Sequence, residues 1–178
     1  MQSTAPRRWD VLTSFMESQG YTSFVEVGCK EGRTTGHLLK SLPNATAIAI
    51  DPWMVQESSA DKTRETYKDW DFKKIEADFW NNIGEGKPRC TMLRKTSVEA
   101  AKDLFDTQFD MVFIDALHDY ESVKEDIAVW WPLVRKGGIL AGHDFNHKWP
   151  GVERAVAEAF NLIHVGVAPD SVWFIVKA

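Results

Sequence analysis

Cysteine is scarce in this 178-residue sequence: Cys29 and Cys90 are the only two, too few for a disulfide framework. Long apolar runs are also missing, because stretches such as residues 110–114 are strand-sized and a bilayer span needs roughly 20 residues. The formal net charge is −5, and the sequence contains no cluster of lysine and arginine. There is therefore no electrostatic basis for nucleic-acid binding. The N-terminal residues lack the apolar segment of a secretory signal. We therefore expect a cytoplasmic protein with no nucleic-acid partner and no membrane association.

The composition is that of a globular domain, with 44% hydrophobic and 26% charged residues. A chain of this length can bury a substantial core, so we expect a single domain over residues 1–178, with residues 1–8 flexible. The eight tryptophans leave room for an apolar interface between two copies, as in a homodimer.

Apolar and amphipathic stretches alternate along the chain, which predicts strands and helices in turn. The predicted strands cover residues 24–28, 46–51, 90–94, 110–115, 137–142, 162–167 and 172–177. The predicted helices cover residues 9–19, 34–42, 96–105 and 151–160, with further helical faces over 72–83 and at Val123, Ile127, Trp130 and Val134. Near-continuous apolar strands are typical of a buried parallel sheet. The predicted fold class is α/β: a doubly wound, Rossmann-like seven-stranded sheet, mostly parallel, with a C-terminal antiparallel hairpin strand. Residues 53–68 have no readable periodicity.

The most informative stretch is an apolar run that carries Glu26 and ends in two glycines, of which Gly28 is the first. It predicts a buried strand that enters a tight turn and then a helix, an arrangement that can hold an adenosine-containing cofactor. Asp51 ends the next apolar run about 20 residues later, where such folds place an acidic group on a ribose diol. Lys30 stands where the glycine pattern of nicotinamide enzymes needs a second glycine beside a pyrophosphate. S-adenosylmethionine has no pyrophosphate, so we expect it rather than a dinucleotide.

Some of these polar positions also have a purely structural interpretation. Glu26 lies inside an apolar strand, where an unpaired carboxylate is costly, so it needs either a pair of loop amides or a ligand ammonium as its partner. Asp51 can bind a ribose or cap the turn at Pro52. Thr96 and Ser97 open a capping box after the third predicted strand, so they are either cofactor contacts or only helix N-caps.

Polar side chains also follow the fourth and fifth predicted strands, at Asp115, His118, His143 and Asp144. Two carboxylates and two imidazoles suit either a divalent cation or general acid/base chemistry, and imidazole favours Mn²⁺, Fe²⁺ or Zn²⁺ over Mg²⁺. The plainer alternative is that His118 begins the next helix and that His143 only pairs with a carboxylate. We expect the substrate to contact the loop that follows, at Asn146, His147 and Trp149; the alternative is that Trp149 and Pro150 only pack this loop against the fold.

These motifs resemble those of the class I S-adenosylmethionine-dependent methyltransferases over nearly the whole chain from Trp9 onward. Residues 109–115 and 118–120 are similar to the corresponding stretch of catechol O-methyltransferase and its metal-dependent relatives. Residues 137–144 are similar to the metal-ligand segment of the same enzymes. With residues 151–156 included, the pattern resembles a group of small bacterial methyltransferases.

The resemblance implies where the cofactor binds. Glu26 and Gly28 would line its methionine portion, and Asp51 would take the ribose hydroxyls. Ser97 would lie near the adenine, and Asp115 would face both the cofactor and any metal. The full cofactor-binding set expected is Glu26, Gly28, Lys30, Gly32, Thr34, Asp51, Pro52, Thr96, Ser97 and Asp115.

The resemblance also implies the chemistry. His118 falls where the catechol enzymes place a lysine base, His143 where they place a carboxylate ligand, and Asp144 where they place an asparagine. We expect methyl transfer from S-adenosylmethionine to a small-molecule or sugar hydroxyl, with His118 as general base and with Asp115 and His143 as the other catalytic residues. A divalent cation (Mg²⁺, Mn²⁺ or Zn²⁺) held by Asp115, His143 and Asp144 would orient the hydroxyl and lower its pKa. The alternative is a non-catalytic sensor or assembly subunit, which would bind the cofactor without needing the acid/base cluster.

Overall fold

A seven-stranded sheet with helices on both faces makes up the computed structural model, which describes residues 5–54 and 69–178. The strands are β1 (Ser23–Val27), β2 (Thr46–Ile50), β3 (Cys90–Leu93), β4 (Phe109–Ile114), β5 (Val134–Gly142), β6 (Gly166–Ala168) and β7 (Val172–Val176). The helices are α1 (Arg8–Gln19), α2 (Arg33–Ser41), α3 (Phe72–Ile83), α4 (Ser97–Asp103), α5 (Tyr120–Trp130) and α6 (Pro150–Ala159). Short 3₁₀ turns cover Gly84–Arg89, Trp131–Leu133 and Leu162–His164.

The strands lie in the order β3-β2-β1-β4-β5-β7-β6. The first five pair in parallel, whereas β7 is antiparallel to both β5 and β6. The predicted doubly wound sheet with a C-terminal antiparallel strand is therefore confirmed. The strand order reverses between β1 and β4, and a crevice forms at the carboxyl ends of the strands at such a point.

Both faces of the central strands are buried, which is why they read as continuous apolar runs. In β1, Phe24 packs with α1, α2 and α3, while Val25 and Val27 point to the opposite face and pack with α4, α5 and α6. All three side chains are almost completely buried. Parallel sheets need such cover on both faces.

The structure differs from the helical pattern expected at the end of α5. The spacing of Val123, Ile127, Trp130 and Val134 predicts one helical face, but α5 ends at Trp130 and Val134 already begins β5. A 3₁₀ turn that contains Pro132 separates the two elements. Proline cannot donate the backbone hydrogen bond that a continuing helix needs, so the chain leaves the helix there.

The first strand of the C-terminal hairpin is shorter than the predicted 162–167. Leu162–His164 is a 3₁₀ turn, in which the Asn161 side chain accepts a hydrogen bond from the Ile163 amide at 3.1 Å. Asparagine competes with the sheet for backbone groups in this way. In this part of the hairpin, the residues that pair with β7 are Gly166–Ala168. The prediction was wrong there because the apolar residues Leu162 and Ile163 are exposed rather than buried in the sheet.

Two parts of the chain lie outside the described residues. They are residues 1–4 of the stretch expected to be flexible and residues 55–68 of the stretch without periodicity. Arg8 begins α1. Within the described ranges, no helix has both the length and the apolar character needed to span a bilayer.

The turn after β1 brings the backbone of the first glycine against the end of β4. The amide of Asp115 donates to the Val27 carbonyl at 2.8 Å, and the Gly28 amide donates to the Ile50 carbonyl at 2.8 Å. Gly28 has φ +86°, and a Cβ there would lie 2.3 Å from the carbonyl oxygen of Asp115. No residue other than glycine fits this position, because a side chain would push β1 and β4 apart at the crevice.

Replacing Gly28 by alanine should destabilise the protein far more than the same change at Gly20. Both glycines have a left-handed backbone, but an added Cβ at Gly20 meets nothing within 4 Å. We expect Gly20→Ala to cost about 1–2 kcal/mol for the backbone alone. Gly28→Ala adds an overpacking cost of about 1–3 kcal/mol. Urea unfolding of both variants measures the difference, and equal losses would contradict the close approach at Gly28.

Candidate active site

A cavity of about 710 Å³ opens at the carboxyl ends of the strands, on the side of the sheet where the strand order reverses. Its volume lies within the range of sites that hold a cofactor-sized ligand. The residues predicted from the sequence that line it are Glu26, Gly28, Lys30, Thr34, Asp51, Pro52, Thr96, Ser97, Asp115, His118, His143 and Asp144. Gly32 is not part of the lining. It precedes α2 with φ +70°, and a Cβ there would lie 2.6 Å from the ring of Phe79.

Glu26 is buried at the floor of the cavity, with 3% of its surface exposed. Its Oε2 accepts a hydrogen bond from the Thr35 amide at 2.9 Å and another from the Thr35 hydroxyl. Its partner within the protein is thus Thr35 at the start of α2 rather than a pair of loop amides. Burial raises the pKa of Glu26 to about 7, the Thr35 hydroxyl opposes this shift and the charge of Asp115 adds to it. The site therefore carries a carboxylate that the fold alone solvates poorly.

Asp51 links the loops that follow β1 and β2 by hydrogen bonds. Its Oδ2 accepts from the Lys30 amide at 3.0 Å and its Oδ1 from the Trp53 amide at 2.7 Å, so it does cap the turn after Pro52. Lys30 and Trp53 both have a left-handed backbone, and the Trp53 indole donates to the Lys30 carbonyl at 3.0 Å. Burial raises the pKa of Asp51, and the two backbone hydrogen bonds oppose that shift. A carboxylate has about four acceptor sites, so these bonds leave room for ligand hydroxyls.

The β3–α4 turn supplies the wall at the far end. Thr96 is the N-cap of α4 and forms the predicted capping box with Glu99. The Ser97 hydroxyl accepts a hydrogen bond from the Trp130 indole at 2.8 Å. The helix-capping interpretation therefore holds for Thr96, which lines the cavity as well, as Ser97 does.

Two histidines and two aspartates meet where β4 and β5 end. His118 Nε2 lies 2.7 Å from Asp144 Oδ2, and His143 Nδ1 lies 3.3 Å from the same oxygen. His143 Nδ1 is also 3.6 Å from Asp115 Oδ1. Burial favours the neutral form of Asp144, but the hydrogen bonds from both imidazoles hold the pKa of Asp144 well below its usual range. Burial also lowers the pKa of His143, yet Asp144 and Asp115 outweigh this effect and raise it.

Donor atoms suited to a cation lie close together in this cluster. Within the described part of the chain, one atom each from Asp115, His118 and Asp144 falls within 4.8 Å of the others. The sequence instead predicts Asp115, His143 and Asp144. Two carboxylates with an imidazole are a reasonable set for Mn²⁺ or Zn²⁺.

Arg8, which is not among the predicted site residues, reaches the cavity from α1. Its Nε lies 3.3 Å from Asp115 Oδ2 and 3.2 Å from the Thr34 hydroxyl. Its backbone amide donates to Asp170 Oδ2 at 2.9 Å, and that carboxylate lies 3.7 Å from His143 Nε2. No sequence pattern predicts the contact between Arg8 and Asp115, because Arg8 is simply the first residue of helix α1.

The loop after β5 contributes one aromatic ring to the site. Trp149 stacks on His118 with the ring centroids 4.3 Å apart and an interplanar angle of 26°. Trp149 is 41% exposed. Asn146, also expected to contact substrate, is hydrogen-bonded to Ser171 at 3.1 Å and to the Lys148 amide at 3.0 Å, and His147 is exposed. Trp149 is thus the member of this predicted group that touches the acid/base cluster.

Comparison with known proteins gives matches that span most of the chain. A family model described as a methyltransferase domain matches residues 25–145. An uncharacterized protein of Acanthamoeba polyphaga mimivirus is 25% identical over 145 residues, which cover 76% of this chain and 60% of that protein. The chain therefore spans less than two thirds of the length of this relative.

Solved structures share the fold at low sequence identity. A putative caffeoyl-CoA O-methyltransferase from Staphylococcus aureus has a TM-score of 0.63 and 12% identity, covering 98% of this chain and 86% of its own. An O-methyltransferase from Bacillus cereus in complex with S-adenosylhomocysteine has a TM-score of 0.61 and 18% identity, covering 98% of this chain and 83% of its own.

Replacing Glu26 by glutamine should stabilise the ligand-free protein at alkaline pH. A carboxyl whose folded pKa is raised contributes stability below its unfolded pKa near 4.5 and loses it as pH rises through about 7. Glutamine does not ionise and still accepts from Thr35. We expect Glu26→Gln to be up to about 3 kcal/mol more stable than the wild type at pH 8 and similar to it at pH 4.5.

The measurement is urea unfolding at a series of pH values, with the exposed Glu17→Gln as the matched control. Glu17→Gln should follow the wild-type curve. A Glu26→Gln variant that is no more stable than the wild type at pH 8 would contradict the burial cost assigned to this carboxylate.

Proposed function

The chain belongs to the family described as a methyltransferase domain, and from that premise we propose that it is an S-adenosylmethionine-dependent enzyme that methylates a hydroxyl oxygen of a small molecule or sugar. The observation that carries the proposal is the pair of His118 and Asp144, 2.7 Å apart at the wall of the cavity. Transfer to oxygen requires a base that removes the hydroxyl proton, and imidazole is the commonest side chain in that role.

The chain offers the cofactor a contact for each of its parts. Glu26 and Gly28 would hold the amino-acid portion, because a buried carboxylate with Thr35 as its only hydrogen-bond donor within the described ranges suits an ammonium group. Asp51 would accept hydrogen bonds from the ribose hydroxyls, and Ser97 would lie beside the adenine ring. Bound S-adenosylmethionine supplies a methyl group that its sulfonium makes electrophilic. The protein's task is then mainly alignment of the hydroxyl with that methyl group.

His118 performs the proton transfer in this proposal. The Asp144 carboxylate, whose pKa is held well below its usual range, stays ionised and would stabilise the imidazolium that forms when His118 takes the proton. The Trp149 ring fixes the plane of the imidazole from the other side. A cofactor-binding sensor would need the cavity but would have no use for this His118–Asp144 pair.

We assign a cation, if the enzyme uses one, to Asp115, His143 and Asp144. Both carboxylates approach His143 Nδ1, at 3.6 and 3.3 Å, which leaves His118 available as the base. Because His118 Nε2 donates its hydrogen to Asp144 Oδ2, Nδ1 is the nitrogen that would accept the hydroxyl proton. A bound cation would act as a Lewis acid that orients the hydroxyl and lowers its pKa.

Removing the base should slow turnover without weakening cofactor binding. We expect His118→Ala to lower kcat by about 10²–10⁴-fold and to leave the affinity for S-adenosylhomocysteine unchanged. The measurement is transfer of a labelled methyl group to a panel of catechols, caffeoyl-CoA and nucleotide sugars. His164→Ala, which changes an exposed histidine on the Leu162–His164 turn, is the matched control and should keep full activity. Undiminished turnover in His118→Ala would refute the assignment of the base.

Calorimetric titration with Mn²⁺ tests the cation assignment. We expect His118→Asn to keep the wild-type affinity for Mn²⁺ and His143→Asn to lose at least about 10–100-fold. The opposite pattern would make His118 a ligand and remove it as the base. No heat with any variant would remove the cation from the proposal and leave the base in place.

A further inference from the structure

Asp126 is a buried carboxyl in the wall of the cavity that the proposed mechanism does not use. It lies on the inward face of α5, in the same helical stripe as Val123 and Trp130, with 5% of its surface exposed. Ser122, one turn earlier on the same face, lines the cavity as Asp126 does. A carboxylate on an apolar helical face is unusual, since Asp is almost never fully buried without a partner.

Ser97 fixes the orientation of this carboxyl. The Ser97 hydroxyl oxygen accepts from the Trp130 indole at 2.8 Å, and its proton is donated to Asp126. Among the groups that shift the pKa of Asp126, Ser97 is the one hydrogen-bond donor. Burial raises the pKa of Asp126 to about 7, the Ser97 hydroxyl lowers it, and the charges of Glu125 and Asp119 raise it. A buried carboxyl with a single donor has acceptor capacity left for a ligand.

The position of Asp126 in the cavity indicates which part of the ligand it meets. Glu26 and Gly28 border the end proposed for the amino-acid portion, and Asp51 borders the ribose. Residues of the β3–α4 turn, Ser97 among them, and of the inward face of α5 form another part of the wall. The cofactor site proposed above puts the nucleobase beside Ser97, and therefore against this part of the wall. The exocyclic amino group is the donor on the hydrogen-bonding edge of adenine.

We propose that the Asp126 carboxylate accepts a hydrogen bond from the amino group of adenine and so makes the enzyme reject cofactors in which that group is replaced by oxygen. The inference rests on the cofactor site proposed above and adds a specificity determinant to it. Ser97 is the positioning residue, because its hydroxyl holds the carboxyl towards the base. A hypoxanthine base would place its carbonyl oxygen against the carboxylate, and two acceptors facing each other leave both without a donor.

The test is calorimetric titration at pH 8.5 with two probes, S-adenosylhomocysteine and its deaminated analogue S-inosylhomocysteine. We expect the wild type to prefer the adenine compound by about 10–100-fold. In Asp126→Asn the amide can donate to the carbonyl of hypoxanthine, so the preference should fall to a few-fold. The exposed Glu121→Gln, which removes one negative charge from the same helix, is the matched control and should keep the wild-type preference.

The possible results distinguish failure of the Asp126 assignment from failure of the proposed cofactor site. If the wild type binds both probes equally well, the role of Asp126 is refuted while the cofactor site stands. If the wild type binds neither probe, both are refuted. An Asp126→Asn variant that folds and keeps the wild-type preference also overturns the inference. The wild-type comparison needs no variant, so the test remains decisive if Asp126→Asn fails to fold.

Discussion

The close approach of the Gly28 backbone to the end of β4 is the constraint on which the rest of the site depends. It allows the Asp115 amide to pair with the Val27 carbonyl, so β1 and β4 stay in register up to the edge of the sheet. Because the strand order reverses between these two strands, their ends define the cavity. Glu26 and Asp51 reach the same cavity from β1 and from the end of β2. Because Gly28 has no side chain, the strand ends that carry Glu26 and Asp51 can lie close together at the cavity.

The cavity contains more negative charge than the fold alone can solvate. Burial raises the pKa of Glu26 and of Asp126, each to about 7, and each is reached by the side chain of a single neighbouring Ser or Thr. The cluster at β4 and β5 differs, because Arg8 and His143 face the carboxylates there. We infer that the two groups of carboxyls have different roles. Glu26 and Asp126 accept hydrogen bonds from the cofactor, whereas the cluster at the ends of β4 and β5 takes part in proton transfer.

The order of strands and helices could be predicted because every central strand is buried on both faces and every helix has one apolar face. The carboxyl ends of parallel strands meet at one edge, so most of the cavity lining could also be predicted. Arg8 could not, since its contact with Asp115 depends on how α1 packs rather than on any local pattern. Gly32 lies outside the cavity lining, and the sequence does not indicate this because its small size serves the contact with Phe79. Asp126 did carry a signal: a carboxylate within an apolar helical stripe.

We propose that this chain transfers a methyl group from S-adenosylmethionine to oxygen. The most direct measurement is carbon NMR of the product formed from cofactor labelled with ¹³C in its methyl group, with each acceptor that supports release of S-adenosylhomocysteine. We expect a new resonance at the position of a methyl ether and one equivalent of S-adenosylhomocysteine. A resonance characteristic of methyl on nitrogen, sulfur or carbon would contradict it.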